Sequence, residues 1–310
     1  MVDVSNADRI VFPELGRTKG DVVAYYQRIA ARALPHLLER PLSIKRFPKG
    51  LAAPGFFQKN VPAHYPASIG RFEVPRSRES SKKRKNSDVD VTVYPLVSEP
   101  EHLAYLANQG ALELHVPTSR GSQHPDKLII DLDPPAGQFE RVREAAFVVR
   151  DALASFGLTS APMATGSKGY HVVAAIEPTH EAEALWLAAY QLGSLLSARH
   201  PELLTVTWRV AQRGGKVFVD WLRNNAVASG IAPYSLRANG GAKVAAPLSW
   251  EELPSHAPDA FCIDDVAALL EREDALLALR PGDTARFVQG VEQAFASAGL
   301  VLEPFDRFRS

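Results

Sequence analysis

The sequence has little cysteine and no long apolar segment. Cys262 is the only cysteine among 310 residues, so an internal disulfide is impossible and the composition suits a reducing compartment. No apolar run approaches the ~20 residues that a membrane-spanning helix needs. Residues 1–9 also lack the basic-then-apolar pattern of a signal peptide. We therefore expect a soluble, cytoplasmic protein without a membrane partner.

The chain also has no net charge, since 35 Lys and Arg balance 35 Asp and Glu. No overall basic field therefore points to nucleic acid. The charges are unevenly placed, however, because residues 71–85 contain seven Lys or Arg and two Glu. This basic tract could follow a phosphate backbone or could be an ordinary solvated loop. Apolar residues make up 46% of the sequence, which indicates a substantial globular core.

Hydrophobic periodicity predicts a mixed chain of helices and strands. Thr18 is expected to cap a helix that has Asp21 at its third position. Strands are predicted at 42–47, 90–97, 127–133, 171–176 and 216–222, and further helices at 102–109, 139–156, 182–197, 264–273 and 283–298. Residues 48–66 are predicted to form a Pro- and Gly-rich loop, and residues 76–87 a loop or hairpin tip.

Carboxylates interrupt two of the predicted apolar strands. Asp131 and Asp133 are two residues apart in Lys-Leu-Ile-Ile-Asp-Leu-Asp, so both side chains leave the same face of a strand. Adjacent carboxylates repel unless a cation lies between them, and hard divalent ions prefer oxygen ligands. A strand-end cap would explain Asp133 but not Asp131. Asp220 lies in a second such strand, where it is either a third metal ligand or the partner of Arg223.

Two further segments carry candidate binding residues. Thr-Gly-Ser-Lys-Gly-Tyr-His at 165–171 is a glycine-bearing turn that could hold an anion with backbone and side-chain donors, although an ordinary hairpin is about as plausible on this pattern. Phe56 and Phe57, followed closely by Lys59, could stack on nucleobases or anchor a local core. No cysteine pair or zinc-ligand spacing is present, so no structural zinc site is expected.

In this order the motifs resemble the archaeo-eukaryotic primases, and in particular the polymerase domain of bacterial ligase D and stand-alone bacterial primase-polymerases. The resemblance covers about residues 5–300 and includes Phe-Phe-Gln-Lys-Asn at 56–60, Ala-Leu-Glu-Leu-His at 111–115 and Ala-Pro-Tyr-Ser-Leu-Arg at 232–237. It implies an α+β fold in which an RRM-like catalytic sheet packs against a second α/β lobe, forming one polymerase domain. The expected parts are an N-terminal lobe (1–110), a catalytic lobe (111–260) and a C-terminal helical segment (261–310).

The resemblance also implies roles for particular residues. Asp131, Asp133 and Asp220 would be catalytic and would hold two divalent ions, Mn²⁺ or Mg²⁺. The residues implied to bind the nucleoside triphosphate are Thr165, Ser167, Lys168, Gly169, His171, Arg237 and His115. Those implied to bind DNA are Phe56, Phe57, Lys59, Arg9, Lys19 and Lys45, of which Arg9 and Lys19 match positions that bind a 5′-phosphate across a gap or break.

Two departures from the family pattern affect this assignment. His115 is followed by Val-Pro where relatives commonly have Pro-Trp, and the turn reads Thr-Gly-Ser-Lys-Gly rather than Ser-Gly-Gly-Lys-Gly. Thr165 retains the hydroxyl, so we expect the turn to function. The sequence contains no Lys-x-Asp-Gly ligase motif. We expect a stand-alone enzyme, with an excised domain as the alternative.

The leading hypothesis is a template-dependent nucleotidyltransferase, a primase-polymerase for DNA repair. It would fill short gaps or extend broken ends bearing a 5′-phosphate, with NTP or dNTP substrates and a preference for ribonucleotides. Expected partners are Ku and a separate DNA ligase, and we expect a monomer. A manganese-dependent glycosyltransferase could also use the Asp-x-Asp strand, and a non-catalytic single-stranded DNA binder would explain Phe56, Phe57 and the basic tract. Neither alternative accounts for all three carboxylates.

Overall fold

The computed structural model describes residues 3–75, 91–121, 124–226 and 228–302. Within these ranges no helix is long and apolar enough to cross a membrane. The α-helices are α1 (Lys19–Leu37), α2 (Pro100–Asn108), α3 (Phe139–Ser155), α4 (Ala182–Arg199), α5 (Val266–Glu271) and α6 (Thr284–Ser297). The strands are β1 (Ile10–Phe12), β2 (Arg17–Thr18), β3 (Ser43–Arg46), β4 (Phe56–Gln58), β5 (Gly70–Pro75), β6 (Val91–Leu96), β7 (Ala111–Val116), β8 (Lys127–Asp133), β9 (Ser160–Ala164), β10 (Tyr170–Ala175), β11 (Leu204–Thr205), β12 (Val217–Asp220), β13 (Gly230–Ile231) and β14 (Ala246–Pro247).

The larger sheet has six strands in the order β11-β12-β8-β10-β9-β14. β11 runs parallel to β12, and the other neighbouring strands are antiparallel. Helix α3 packs against β8, β9 and β10, and α4 packs against β8 and β11. β8 is buried from Leu128 to Leu132 and lies in the interior of the sheet, between β12 and β10.

A second sheet has four strands in the order β13-β7-β3-β4. Helix α2 packs against both β7 and α1. Tyr26 of α1 donates its hydroxyl hydrogen to the carbonyl of Leu112 in β7, at 2.6 Å in the buried interior. β1 pairs with β2, and β5 pairs with β6, as separate two-stranded sheets. The apolar core runs continuously from α1 and β3 to the six-stranded sheet, so the described parts share one interior.

Most of the predicted elements are present. The strand at 127–133 has the predicted limits, and Thr18 forms a capping box with Asp21 at the start of α1. The prediction that 48–66 is a loop throughout was wrong, because Phe56–Gln58 form β4 at the edge of the second sheet. A three-residue edge strand between prolines and glycines has too few positions to show a period of two. The segment 76–87 lies outside the described residues.

The mixed helix-and-sheet class is confirmed. The lobe limits stay a prediction. Strand β7 lies at the start of the predicted catalytic lobe, but its hydrogen bonds join it to the sheet that contains the N-terminal strands β3 and β4. The C-terminal segment is tied to α1 by a buried carboxylate: Asp274 accepts hydrogen bonds from His36 and from the hydroxyl of Tyr234, at 2.7 and 2.8 Å. Its other oxygen accepts from backbone N–H groups.

Candidate active site

The three predicted aspartates lie together on two adjacent strands. β12 pairs antiparallel with β8 so that Asp220 is directly opposite Asp131, and Asp133 is two residues further along β8. Asp131 and Asp220 are each about 5% exposed, and Asp133 is partly exposed. The sheet therefore places a buried pair of carboxylates beside a third that is partly exposed.

Arg223 neutralises part of this charge. Its Nε lies 2.9 Å from Oδ2 of Asp131, and a terminal nitrogen lies 3.7 Å from Oδ2 of Asp220. Arg223 sits on a single 3-10 turn after β12, and Asn224 on the same turn exchanges two hydrogen bonds with the backbone of Ile129. The Asn224 side chain thus bonds to the backbone of β8 as a neighbouring strand would, which fixes the turn. The fixed turn holds the Arg223 guanidinium next to the carboxylates.

His171 lies on the other side of Asp131. It is opposite Asp131 in the register of β10 with β8, and its Nε2 is 3.5 Å from Oδ2 of Asp131. His171 is 3% exposed, and its Nδ1 is buried without a protein hydrogen-bond partner. Asp131 is therefore enclosed by a histidine on one neighbouring strand and a carboxylate on the other.

The pKa values of the carboxylates diverge. Burial alone would raise the pKa of Asp131, but His171 and Arg223 outweigh burial and hold that pKa well below its usual range. Burial and the charge of Asp131 raise the pKa of Asp133 to about 6, and the same two causes raise the pKa of Asp220 to about 6. The carboxylates together with Arg223 are thus short of positive charge.

The donor set is appropriate for a divalent cation. In the described ranges, no three Asp, Glu, His or Cys side chains already surround a common point as metal ligands do. The available atoms are carboxylate oxygens, which Mg²⁺ and Mn²⁺ prefer. A cation would relieve the repulsion that, together with burial, raises the pKa values of Asp133 and Asp220. These residues fit a divalent ion, provided that Arg223 releases Asp131.

The glycine-bearing turn stands beside the carboxylates and enters β10. Thr165 is buried, and its hydroxyl donates to the carbonyl of Gly169 at 2.7 Å, so the hydroxyl closes the turn. A Cβ on Gly169 would lie 1.9 Å from the carbonyl oxygen of Leu132, which explains why only glycine fits between β8 and β10 here. Lys168 is exposed and Ser167 partly exposed, so both can reach a ligand from solvent.

Arg237 packs beside this turn. A Cβ on Gly166 would lie 2.7 Å from Cγ of Arg237, and the backbone of Gly166 has φ +68°. Arg237 also lies near a second cluster, in which Glu113 of β7 accepts a hydrogen bond from His115 at 2.9 Å. Lys45 of β3 completes that cluster, 3.7 Å from Glu113. The structure thus brings three of the implied triphosphate- and DNA-binding residues, Arg237, His115 and Lys45, to one carboxylate that the sequence did not single out.

The aromatic pair lies on edge strand β4. Phe56 is 49% exposed and Phe57 55% exposed, and Lys59 is exposed just beyond the strand. Arg46 lies 5.7 Å from the ring centre of Phe56, and Lys45 lies 5.9 Å from that of Phe57. Exposed rings next to cations provide a surface on which bases can stack.

Arg9 and Lys19 lie elsewhere, in a cavity of about 190 Å³ whose lining includes none of the three aspartates. The Lys19 ammonium is buried and donates to the carbonyl and hydroxyl oxygens of Ser5. Burial, together with the charge of Arg9, lowers the pKa of Lys19. Arg9 is exposed at the mouth. Arg46 and the amide of Asn108 also line the cavity, and with three cations it is a candidate anion site separate from the carboxylates.

Sequence reasoning missed the positions of Arg223 and Glu113. Arg223 follows Asp220 by three residues, and this spacing suggested only a pair with Asp220, whereas its shorter contact is to Asp131. Glu113 is two residues before His115 on a predicted strand, which was a signal that the two share a face.

Most of the chain is similar to known proteins. Residues 18–277 match the family model described as LigD, primase-polymerase domain. The chain is 34% identical over 287 residues to the multifunctional non-homologous end joining DNA repair protein LigD of Mycobacterium tuberculosis, covering 89% of this chain and 36% of that protein. It is 31% identical over 277 residues to the bifunctional non-homologous end joining protein LigD of Bacillus subtilis, covering 87% of this chain and 42% of that protein.

The chain is also similar to a solved structure, the polymerase domain of Mycobacterium tuberculosis ligase D in complex with DNA. The TM-score is 0.81 at 34% sequence identity, and the match covers 90% of this chain and 98% of that one. The chain thus spans about a third to two fifths of the length of these curated relatives, and nearly all of the solved domain.

Asp133→Asn is expected to stabilise the protein when divalent ions are chelated. Since its pKa is raised to about 6, the folded state favours protonated Asp133 and loses stability as the pH rises from about 4 to about 6. The variant should therefore melt at least about 2 °C higher than wild type at pH 7.5, and no higher at pH 4. Calorimetry in EDTA measures both. Asp151→Asn on the exposed face of α3 is the control, and a lower melting temperature for Asp133→Asn at pH 7.5 would contradict the repulsion.

Proposed function

The chain belongs to the LigD primase-polymerase family, and on that premise we propose that it is a template-dependent polymerase that extends a primer 3′-OH on gapped or broken DNA. The nucleotidyltransferase class follows from the family. The observation that supports the reaction is the register of β8 with β12, which sets Asp131 opposite Asp220 and next to Asp133, beside the glycine-bearing turn.

Asp131, Asp133 and Asp220 would hold two divalent ions, with Mn²⁺ favoured over Mg²⁺. When bound, such ions supply activation of the primer 3′-oxygen and charge neutralisation at the leaving pyrophosphate. Arg223 would then exchange Asp131 for another anionic partner. Arg223 would thus compensate the charge of Asp131 before the nucleotide arrives, and the metal ions would do so afterwards.

The triphosphate would lie along the turn. Lys168 and Ser167 are accessible to it, and the stem of Arg237 packs on Gly166 so that its guanidinium stands beside the same turn. Thr165 would act through the shape of the turn, since its hydroxyl is used by Gly169. His171, held against Asp131, would line the site between the metal ligands and the triphosphate.

The DNA would be held at two separate places. Phe56 and Phe57 would stack on template or incoming bases, with Lys45 and Lys59 near the backbone. The cavity of Arg9 and Lys19 would bind the 5′-phosphate on the far side of a gap or break, because it combines three cations, Arg46 included, with the amide of Asn108. Separation of the two places suits a substrate with a gap between primer end and phosphate.

The setting we propose is bacterial DNA repair by end joining, in the cytoplasm at the nucleoid. The relatives that carry the name LigD are end-joining proteins, and this supports the proposal. Ku and a separate DNA ligase are the proposed partners, ribonucleotides the preferred substrates and the monomer the working form. The two lobes and the C-terminal helical segment predicted from the sequence would then act as one polymerase domain.

Primer extension tests the reaction. A gapped duplex with a 5′-phosphate is incubated with Mn²⁺ and either ribo- or deoxynucleotides, comparing wild type with Asp131→Asn and Asp151→Asn. We expect extension by wild type and by Asp151→Asn, with ribonucleotides used faster. The extension rate of Asp131→Asn should be at least about 100-fold lower than that of wild type. Changing residues that only support metal ligands already lowers metal affinity or activity by about 10–100-fold. DNA binding without extension by wild type would instead indicate a non-catalytic binder, and neither binding nor extension would favour the nucleotide-sugar alternative.

Arg9→Gln tests the phosphate cavity. Wild type should extend a gap with a 5′-phosphate more efficiently than the same gap with a 5′-hydroxyl, and Arg9→Gln should reduce that preference by about tenfold, the effect of about one charge-assisted hydrogen bond. Arg28→Gln, on the exposed side of α1, is the matched control. An unchanged preference for the 5′-phosphate in Arg9→Gln would place the phosphate elsewhere.

A further inference from the structure

A buried carboxylate, Glu113, joins the implied nucleotide and DNA contacts without itself being among them. In the register of the second sheet Phe57 of β4 is opposite Lys45 of β3, and Lys45 is opposite Glu113 of β7. His115, two residues after Glu113, lies on the same face of β7, and its ring meets Phe57 edge to face at 5.4 Å. A continuous row therefore leads from the exposed aromatic edge to a carboxylate that is 4% exposed.

Glu113 is bonded on several sides. One oxygen accepts from His115 Nε2 at 2.9 Å and lies 3.8 Å from a terminal nitrogen of Arg237. The other accepts from the backbone N–H of Ala238 at 2.9 Å and lies 3.7 Å from the Lys45 ammonium. Glu113 thus contacts both the side chain of Arg237 and the backbone immediately after it.

The segment around Arg237 is fastened to β7 at a second point. The backbone N–H of Leu114 donates to the hydroxyl of Ser235 at 2.8 Å, and the N–H of Arg237 donates to the carbonyl of Lys243. The stem of Arg237 then crosses to Gly166 of the glycine-bearing turn. The guanidinium is consequently placed by β7 on one side and by the turn on the other, and Glu113 is the charged group behind it.

Electrostatics alone would argue against a carboxylate here. Burial would raise the pKa of Glu113, but His115, Arg237 and the Ala238 N–H outweigh it and lower the pKa to about 2, so Glu113 is ionised at neutral pH. A negative charge beside the cations Lys45 and Arg237 weakens their attraction for an anion. A buried carboxylate in this position therefore needs a reason other than charge, and its hydrogen bonds provide one.

We propose that Glu113 is a positioning residue, which holds Arg237 and His115 in the orientation that receives the triphosphate of the incoming nucleotide. This inference rests on the proposed function, because it takes the turn at 165–171 as the place where the triphosphate binds. Glu113 pairs with the Arg237 guanidinium at 3.8 Å and accepts a hydrogen bond from the adjacent backbone N–H of Ala238. Both contacts restrict Arg237 in advance, so less side-chain entropy would be lost when the guanidinium meets a phosphate.

The test compares Glu113→Gln with Asp274→Asn, a buried carboxylate-to-amide change in the network of His36 and Tyr234. Steady-state extension gives KM and kcat for the nucleotide, calorimetry gives the affinity for inorganic tripolyphosphate, and thermal melting gives stability. We expect Glu113→Gln to raise the nucleotide KM and to weaken tripolyphosphate binding by about tenfold, with a smaller change in kcat. Asp274→Asn should lower the melting temperature and leave KM and tripolyphosphate affinity unchanged.

Two results would overturn the proposal. If Glu113→Gln is less stable but keeps the wild-type KM, Glu113 has only a structural role. If Glu113→Gln has a lower KM than wild type, Glu113 acts only as a negative charge that opposes nucleotide binding. Glu113→Asp decides the matter if the Gln variant fails to fold: it keeps the charge but is one methylene too short, so positioning predicts a raised KM and a counter-charge predicts the wild-type value. If wild type binds tripolyphosphate but does not extend primers, the polymerase proposal fails, while the role of Glu113 can still be tested by tripolyphosphate affinity. If wild type does not bind tripolyphosphate, the proposed role of Glu113 fails.

Discussion

Repulsion among three carboxylates on two neighbouring strands is the constraint around which the structure is organised. Burying Asp131 and Asp220 opposite each other is unfavourable unless positive charge is supplied. The protein supplies part of it with Arg223, which stands on a turn that Asn224 fastens to β8. Burial, together with the remaining repulsion from Asp131, raises the pKa values of Asp133 and Asp220. If the site binds divalent ions as proposed, that affinity would be the counterpart of a local loss of stability.

In the proposed function, both sheets would contribute binding residues. The six-stranded sheet presents the carboxylates, His171 and the glycine-bearing turn, and the four-stranded sheet presents Phe57, Lys45 and Glu113. They meet where Arg237 packs on Gly166 and also contacts Glu113. Because the triphosphate would touch groups from both, the relative position of the sheets is part of the site, and the continuous apolar core holds that position.

The parts that could be predicted from the sequence are those that local pattern controls. An apolar strand with two acids at alternate positions predicted β8 and the shared face of Asp131 and Asp133, and the capping box at Thr18 needs only four residues to be recognised. Strand β4 could not be predicted, since three residues at a sheet edge carry no period. The contact of Arg223 with Asp131 joins residues 92 positions apart, and that of Glu113 with Ala238 joins residues 125 apart, so both depend on strand pairing that the local pattern does not reveal. The family resemblance supplied Arg237 and His115, but not the carboxylate that lies between them.

Manganese binding is the most direct test of the central claim. That claim is that the three carboxylates form a divalent-ion site, and that Arg223 pairs with Asp131 until the ion binds. Free Mn²⁺ is measured by electron paramagnetic resonance during titration of wild type, Asp131→Asn and the control Asp151→Asn, with and without a nucleoside triphosphate. The account predicts binding by wild type and by Asp151→Asn, stronger when the triphosphate is present, and affinity at least about tenfold weaker in Asp131→Asn. Equal Mn²⁺ affinity in wild type and Asp131→Asn would contradict it.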